Sequence, residues 1–170
     1  MFLRNRIRLF VYTALMALAV AACTAAGNTD PTAVEDEVLG HSVFTFGSPG
    51  QANDADRTIE VSANDDLTFS PAEIVVSTGE TITFVVSNTG QVVHDFTLGD
   101  QTAQDDHEEE MAEMMESGDM TMHDEDNVVV LQPGETKELT WNFTESGTFL
   151  IGCHQPGHYA GGMKATIDVD

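Results

Sequence analysis

The chain has 170 residues, enough for one compact domain with terminal extensions, and its hydrophobic fraction of 41% is ordinary for a sequence that buries a core. Its charge is not ordinary: 29 acidic residues stand against six basic ones, a formal net charge of −23 at pH 7. A surface of that sign repels phosphate backbones and anionic lipid and attracts basic partners, which excludes nucleic-acid binding.

In chain order, the first 22 residues read as an export signal. Arg4, Arg6 and Arg8 form a positive segment, Leu9 to Val20 an apolar one, and small residues follow. Val20-Ala21-Ala22-Cys23 resembles the lipobox of bacterial lipoproteins, in which the cysteine is acylated and becomes the mature N-terminus. That resemblance implies lipidation of Cys23, a membrane anchor and an extracytoplasmic location, in the periplasm or on the outer cell surface. Removing the signal leaves only Arg57, Lys137 and Lys164 as basic residues. Residues 23–56 read as a tether and an irregular approach, with Gly47-Ser48-Pro49-Gly50 marking a loop and His41–Phe46 a candidate outer strand.

From Arg57 the pattern turns to short strands. Thr58–Ala63, Ile74–Ser77, Thr81–Ser87, Val92–Leu98, Val128–Leu131, Lys137–Phe143, Thr148–Gly152 and Lys164–Val169 are β-branched or alternating runs separated by turn residues. Thr78-Gly79-Glu80 reads as a hairpin turn. Seven or eight strands at this spacing predict an all-β, Greek-key β-sandwich. Phe69, Phe84, Phe96, Trp141, Phe143 and Phe149 are its candidate core aromatics.

One segment breaks the rhythm. Residues 99–127 carry twelve acids, five methionines and two histidines without strand alternation, an insertion between two strands. Gln104 to Met115 has helix-forming composition, with Met111, Met114 and Met115 on one predicted face. Met111, Met114, Met115, Met120 and Met122, with His107 and His123, are candidate secondary Cu(I) ligands, because soft donors suit that ion. A solvated acidic loop whose methionines merely pack on the sandwich is the competing reading.

The chain has two cysteines, Cys23 and Cys153. If lipidation consumes the first, Cys153 is a lone thiol in an oxidising compartment, which metal ligation explains. Cys153, His158 and Met163 offer a thiolate, an imidazole and a thioether from one loop. That mixture suits a single copper ion in a trigonal set of one cysteine and two histidines with a weak axial methionine. His94 is the candidate second histidine, at the start of a strand expected beside the one leading into Cys153. Zinc fits poorly, because a thioether is a poor fourth ligand. No general base with an orienting carboxylate is evident around Cys153, so nothing argues for an enzyme.

These residues resemble the cupredoxins, the type-1 blue copper proteins, and the Cys-x4-His-x4-Met spacing is similar to the rusticyanin and auracyanin type. The resemblance spans about Arg57 to Asp170 and includes Pro71-Ala72-Glu73-Ile74, Gly79-Glu80-Thr81 and Pro133-Gly134-Glu135-Thr136. It implies His94, Cys153 and His158 as strong copper ligands, Met163 as the weak axial one, and single-electron exchange with a redox partner. The acidic surface suits a partner with a basic docking face, a cytochrome for example, and self-repulsion favours a monomer. Two residues depart from the family pattern. Asp95 follows the first ligand where an asparagine or serine is common, leaving only its backbone N–H to support the cysteine sulfur. His154 follows Cys153 and reads as a surface or supporting residue, since no further histidine pairs complete a second copper centre. Single-electron transfer between extracytoplasmic redox partners is the expected function, with extracytoplasmic copper handling (sequestration, delivery or resistance) through the methionine- and histidine-rich insertion as the alternative.

Overall fold

A computed structural model describes residues 44–118 and 124–170. Two five-stranded sheets face one another. One contains, in spatial order, β1 (Gly47–Pro49), β8 (Thr136–Phe143), β5 (Thr81–Asn88), β2 (Arg57–Asn64) and β3 (Thr68–Ser70). The other contains β4 (Glu73–Val76), β10 (Lys164–Val169), β9 (Gly147–Gly152), β6 (His94–Gly99) and β7 (Val128–Leu131). The expected all-β sandwich is therefore present, with ten strands among the described residues.

Period-two alternation builds the core. Leu139, Trp141 and Phe143 of β8 point inward, as do Ala165, Ile167 and Val169 of β10. All six predicted aromatics are buried, and Phe84 and Phe96 meet across the two sheets with centroids 5.4 Å apart.

Two sequence expectations require correction. Within the stretch read as a tether and irregular approach over 23–56, the described part packs on the sandwich at Phe46–Pro49. Gly47–Pro49 pairs with β8, and Phe46, 1% exposed, stacks on Trp141 with centroids 5.1 Å apart. Aromatic burial, rather than strand alternation, holds this segment. The loop read at Gly47–Gly50 is thus partly a strand. Thr78–Glu80, in turn, closes no hairpin. β4 pairs in parallel with β10 in one sheet, while β5 pairs with β2 and β8 in the other. The turn amides reach out accordingly, Thr78 N–H donating to Asp170 O and Gly79 N–H to Phe143 O. A turn that crosses between layers uses the same residues as one that folds a strand back on itself.

The insertion folds as α1 (Gln101–Ser117), capped by the Asp100 carboxylate, which accepts from Ala103 N–H at 2.9 Å. Gly118 ends it in the left-handed conformation, φ 76°. The helix packs against β6 and β9. As a result every residue of β6 is buried, with Phe96 and Leu98 in the core and Asp95 and Thr97 also fully covered.

Candidate metal centre

β6 and β9 run antiparallel side by side, Thr97 opposite Gly152, as the sequence implied for the strands bearing His94 and Cys153. His94 opens β6, Cys153 follows β9, and residues 153–163 loop over that end of the sandwich before β10 begins. The loop closes on itself. Cys153 N–H donates to Met163 O at 3.2 Å, and Met163 N–H to His158 O at 3.0 Å. These two bonds bring the backbones of Cys153, His158 and Met163 together.

Donor atoms of His94, Cys153 and His158 all lie within 4.8 Å of one another. Cys153 Sγ is 3.3 Å from His158 Nδ1 and 3.7 Å from His94 Nδ1. This is the one such group of three or more histidine, cysteine or acidic donors among the described residues. Met163 is fully buried in the same core cluster as Cys153. His94 and Cys153 are shut from solvent, whereas His158 keeps part of its ring exposed.

The surroundings fit a soft cation. Burial pushes the Cys153 thiol far above the ordinary range, and the neighbouring Asp95 carboxylate adds to the rise. Without a metal the sulfur therefore keeps its proton, and a bound cation would reverse that balance. Burial, followed by the nearby His94 ring, lowers the pKa of His158 and favours the neutral imidazole a metal requires. His94 turns Nε2 to the Asp65 carboxylate at 3.3 Å, leaving Nδ1 toward the sulfur. Asp65 is held in turn by Gln91 N–H at 2.8 Å, the main cause of its lowered pKa.

Asp95 now has an explanation. Its backbone N–H reaches Cys153 Sγ at 3.5 Å, the supporting role the sequence left to it. Its side chain does something asparagine could do only in part. The carboxylate accepts from His154 N–H at 2.9 Å, Gln155 N–H at 3.1 Å and the Thr97 hydroxyl at 2.9 Å. An acid suits a position where several donors converge.

His154 is no surface residue: it is 2% exposed. Its Nε2 lies 2.8 Å from Gln104 Oε1 and its Nδ1 2.7 Å from Glu108 Oε2, both on α1. Tyr159 stacks on the ring at 4.3 Å, and His107 approaches edge-on at 4.9 Å. Gln104, fully buried, went unnoticed in the sequence, where a glutamine within an acidic run carries no signal.

The secondary Cu(I) candidates fare differently. Met111 is buried, Met114 partly so and Met115 53% exposed, so the three do not share one environment as the predicted common face implied. His107 belongs to the packed side of the helix, beside His154. Met120, Met122 and His123 lie outside the described residues, as do Cys23, the export signal and the first residues of His41–Phe46.

The family model for copper binding proteins of the plastocyanin/azurin family matches residues 55–170. The chain is a member of that family. Among its relatives, the copper-resistant cuproprotein CopI of Pseudomonas aeruginosa is 37% identical over 149 residues, which cover 73% of this chain and 82% of the relative. The CopI protein of Rubrivivax gelatinosus is 36% identical over 124 residues, covering 73% of each chain. Among solved structures, dithionite-reduced auracyanin from Roseiflexus castenholzii is similar with a TM-score of 0.55 at 28% identity, over 68% of this chain and 98% of that one. Auracyanin A from Chloroflexus aurantiacus, a "blue" copper protein, is similar with a TM-score of 0.54 at 26% identity, over 66% and 98% respectively. The plastocyanin/azurin family assignment agrees with the cupredoxin resemblance read from the loop and with the buried His–Cys–His group.

Proposed function

We propose that this chain is a type-1 copper protein of the cell envelope whose role is copper handling in the sense of resistance. One ion would be held by His94, Cys153 and His158, with the Met163 thioether as a further, weak donor. The convergence of the three donor atoms within 4.8 Å around a buried thiol carries the metal reading. The handling role is supported by relatives bearing the description copper-resistant over most of their length. Copper, when bound, supplies one-electron exchange between Cu(I) and Cu(II). The protein's own part is to fix the donors, exclude water from Cys153 and Met163, and leave the His158 edge accessible. Within the same reading, Cys23 is lipidated and anchors the domain to a membrane, the chain acts as a monomer without catalysis of its own, and Met114, Met115, Met120 and Met122 collect additional Cu(I).

A second reading, electron transfer to a partner with a basic face such as a cytochrome, is favoured by the exposure of His158 alone among the four donors. The two separate cleanly. The purified chain should develop intense visible thiolate-to-copper absorption on adding Cu(II), and Cys153→Ser should abolish it. Cells lacking the protein should lose copper tolerance, and the wild-type chain but not Cys153→Ser should restore it. Unchanged tolerance in the deletion strain would sink the handling role and favour electron transfer. For the methionines, replacing Met114, Met115, Met120 and Met122 by leucine should reduce Cu(I) stoichiometry to one. A wild-type stoichiometry of one would end the collecting idea.

A further inference from the structure

We propose that helix α1 is part of the framework of the copper centre, with Gln104 and Glu108 as positioning residues that hold the flank of Cys153 through the side chain of His154. This rests on His94, Cys153 and His158 being the copper ligands.

Gln104 is a wholly buried amide on a largely acidic helix. Its Nε2 donates to Thr97 O at 2.9 Å and Leu150 O at 3.3 Å. Those carbonyls belong to β6 and β9, the two strands that present His94 and Cys153. Spending the nitrogen there turns the oxygen to His154 Nε2. Glu108, four residues on and so on the same helical face, meets the other ring nitrogen. Tyr159, the neighbour of His158, closes the ring's face.

The backbone around this contact is shaped for it. Gly152 directly precedes Cys153, and a Cβ there would collide with Gln104 Oε1, His154 Nε2 and the Tyr159 ring. A glycine at this position lets the helix amide approach the strand. His154 is thereby held twice, its backbone N–H by Asp95 and its ring by α1. The planar peptide joining it to Cys153 passes that constraint to the cysteine. A helix that merely covered the sheet would need neither a buried amide bridging both ligand strands nor an acid on the second ring nitrogen.

The test uses the full chain loaded with Cu(II). Gln104→Ala and Glu108→Ala should each alter the thiolate-to-copper absorption and the electron paramagnetic resonance spectrum. Each should also speed copper loss to a chelator by about 10- to 100-fold, the usual cost of removing a group that orients a ligand. Glu108→Gln keeps an accepting oxygen and should restore both properties. Glu108 is half exposed, so its variants fold even if Gln104→Ala does not. Spectra and loss rates equal to wild type in Glu108→Ala would overturn the proposal, even if the apoprotein melted earlier. A wild-type chain that never develops the absorption would instead overturn the ligand assignment and this inference with it.

Discussion

The loop over residues 153–163 and the helix over residues 101–117 meet at His154 but are held by different means. In the loop, backbone hydrogen bonds close the turn, such as Cys153 N–H to Met163 O, and its residues include no acid, lysine or arginine. The helix carries acids on most of its surface and is fastened by a few side chains, Gln104, Glu108 and Met111. Backbone closure joins the two ends of the loop, while its flank at His154 rests on the helix. Side-chain fastening makes the helix separable, a unit able to loosen while the sandwich stays folded.

The largest expected effect exploits that separability. Met111, 4% exposed, is the one wholly buried apolar anchor of α1 among the described residues. Met111→Ala should cost about 2 kcal/mol or more, and a loss of that size increases opening by a factor of roughly 30. Amide exchange across residues 101–117 should rise by that factor while β2, β5 and β8 keep their protection. Exchange rising equally in both would show that helix and sandwich open together and erase the distinction.

The second effect sharpens it from the other side. Asp95 places a buried carboxylate 3.4 Å from Cys153 Sγ. A fixed negative charge beside the ligand sulfur favours Cu(II) over Cu(I). Asp95→Asn should therefore raise the reduction potential, with the equilibrium moving at least tenfold, about 59 mV for one electron. Spectroelectrochemical titration reads this directly. A potential that stays put or falls would mean that the N–H donors of His154 and Gln155 already neutralise the charge.

The same contrast explains what could be read from the sequence. Cys153, His158 and Met163 were legible because one loop holds all three and their donor types already name the chemistry. His94 followed from strand pairing, a consequence of alternation in β6 and β9. The six core aromatics were legible because each sits on the inward register of a strand or beside one. Gln104 and Glu108 were not, because a polar brace has no period and its partner lies about 50 residues away along the chain, His154 Nε2 to Gln104 Oε1 having a separation of 50. Burial of Phe46 escaped for the same reason, its partner Trp141 being on a distant strand. Thr78–Glu80 was misread because turn residues record that the chain bends, not which sheet it bends into.

The smallest effect concerns the outer support of His94. Asp65 is solvent-exposed, and its pKa is lowered chiefly by Gln91 N–H, with His94 contributing less. A carboxylate whose folded pKa lies below its unfolded value stabilises the fold above the ordinary carboxylate range. That contribution disappears as pH falls through the folded value. Wild type and Asp65→Asn apoproteins should therefore differ in stability at neutral pH and converge as pH drops below about 4, the unperturbed range. Denaturant melts across that window give the comparison, and the gap should shrink with salt because the group is exposed. Curves that stay parallel to the acid end would assign the Asp65 contribution to hydrogen-bond geometry alone. In that case His94 would owe its orientation to burial in β6 rather than to the charge outside it.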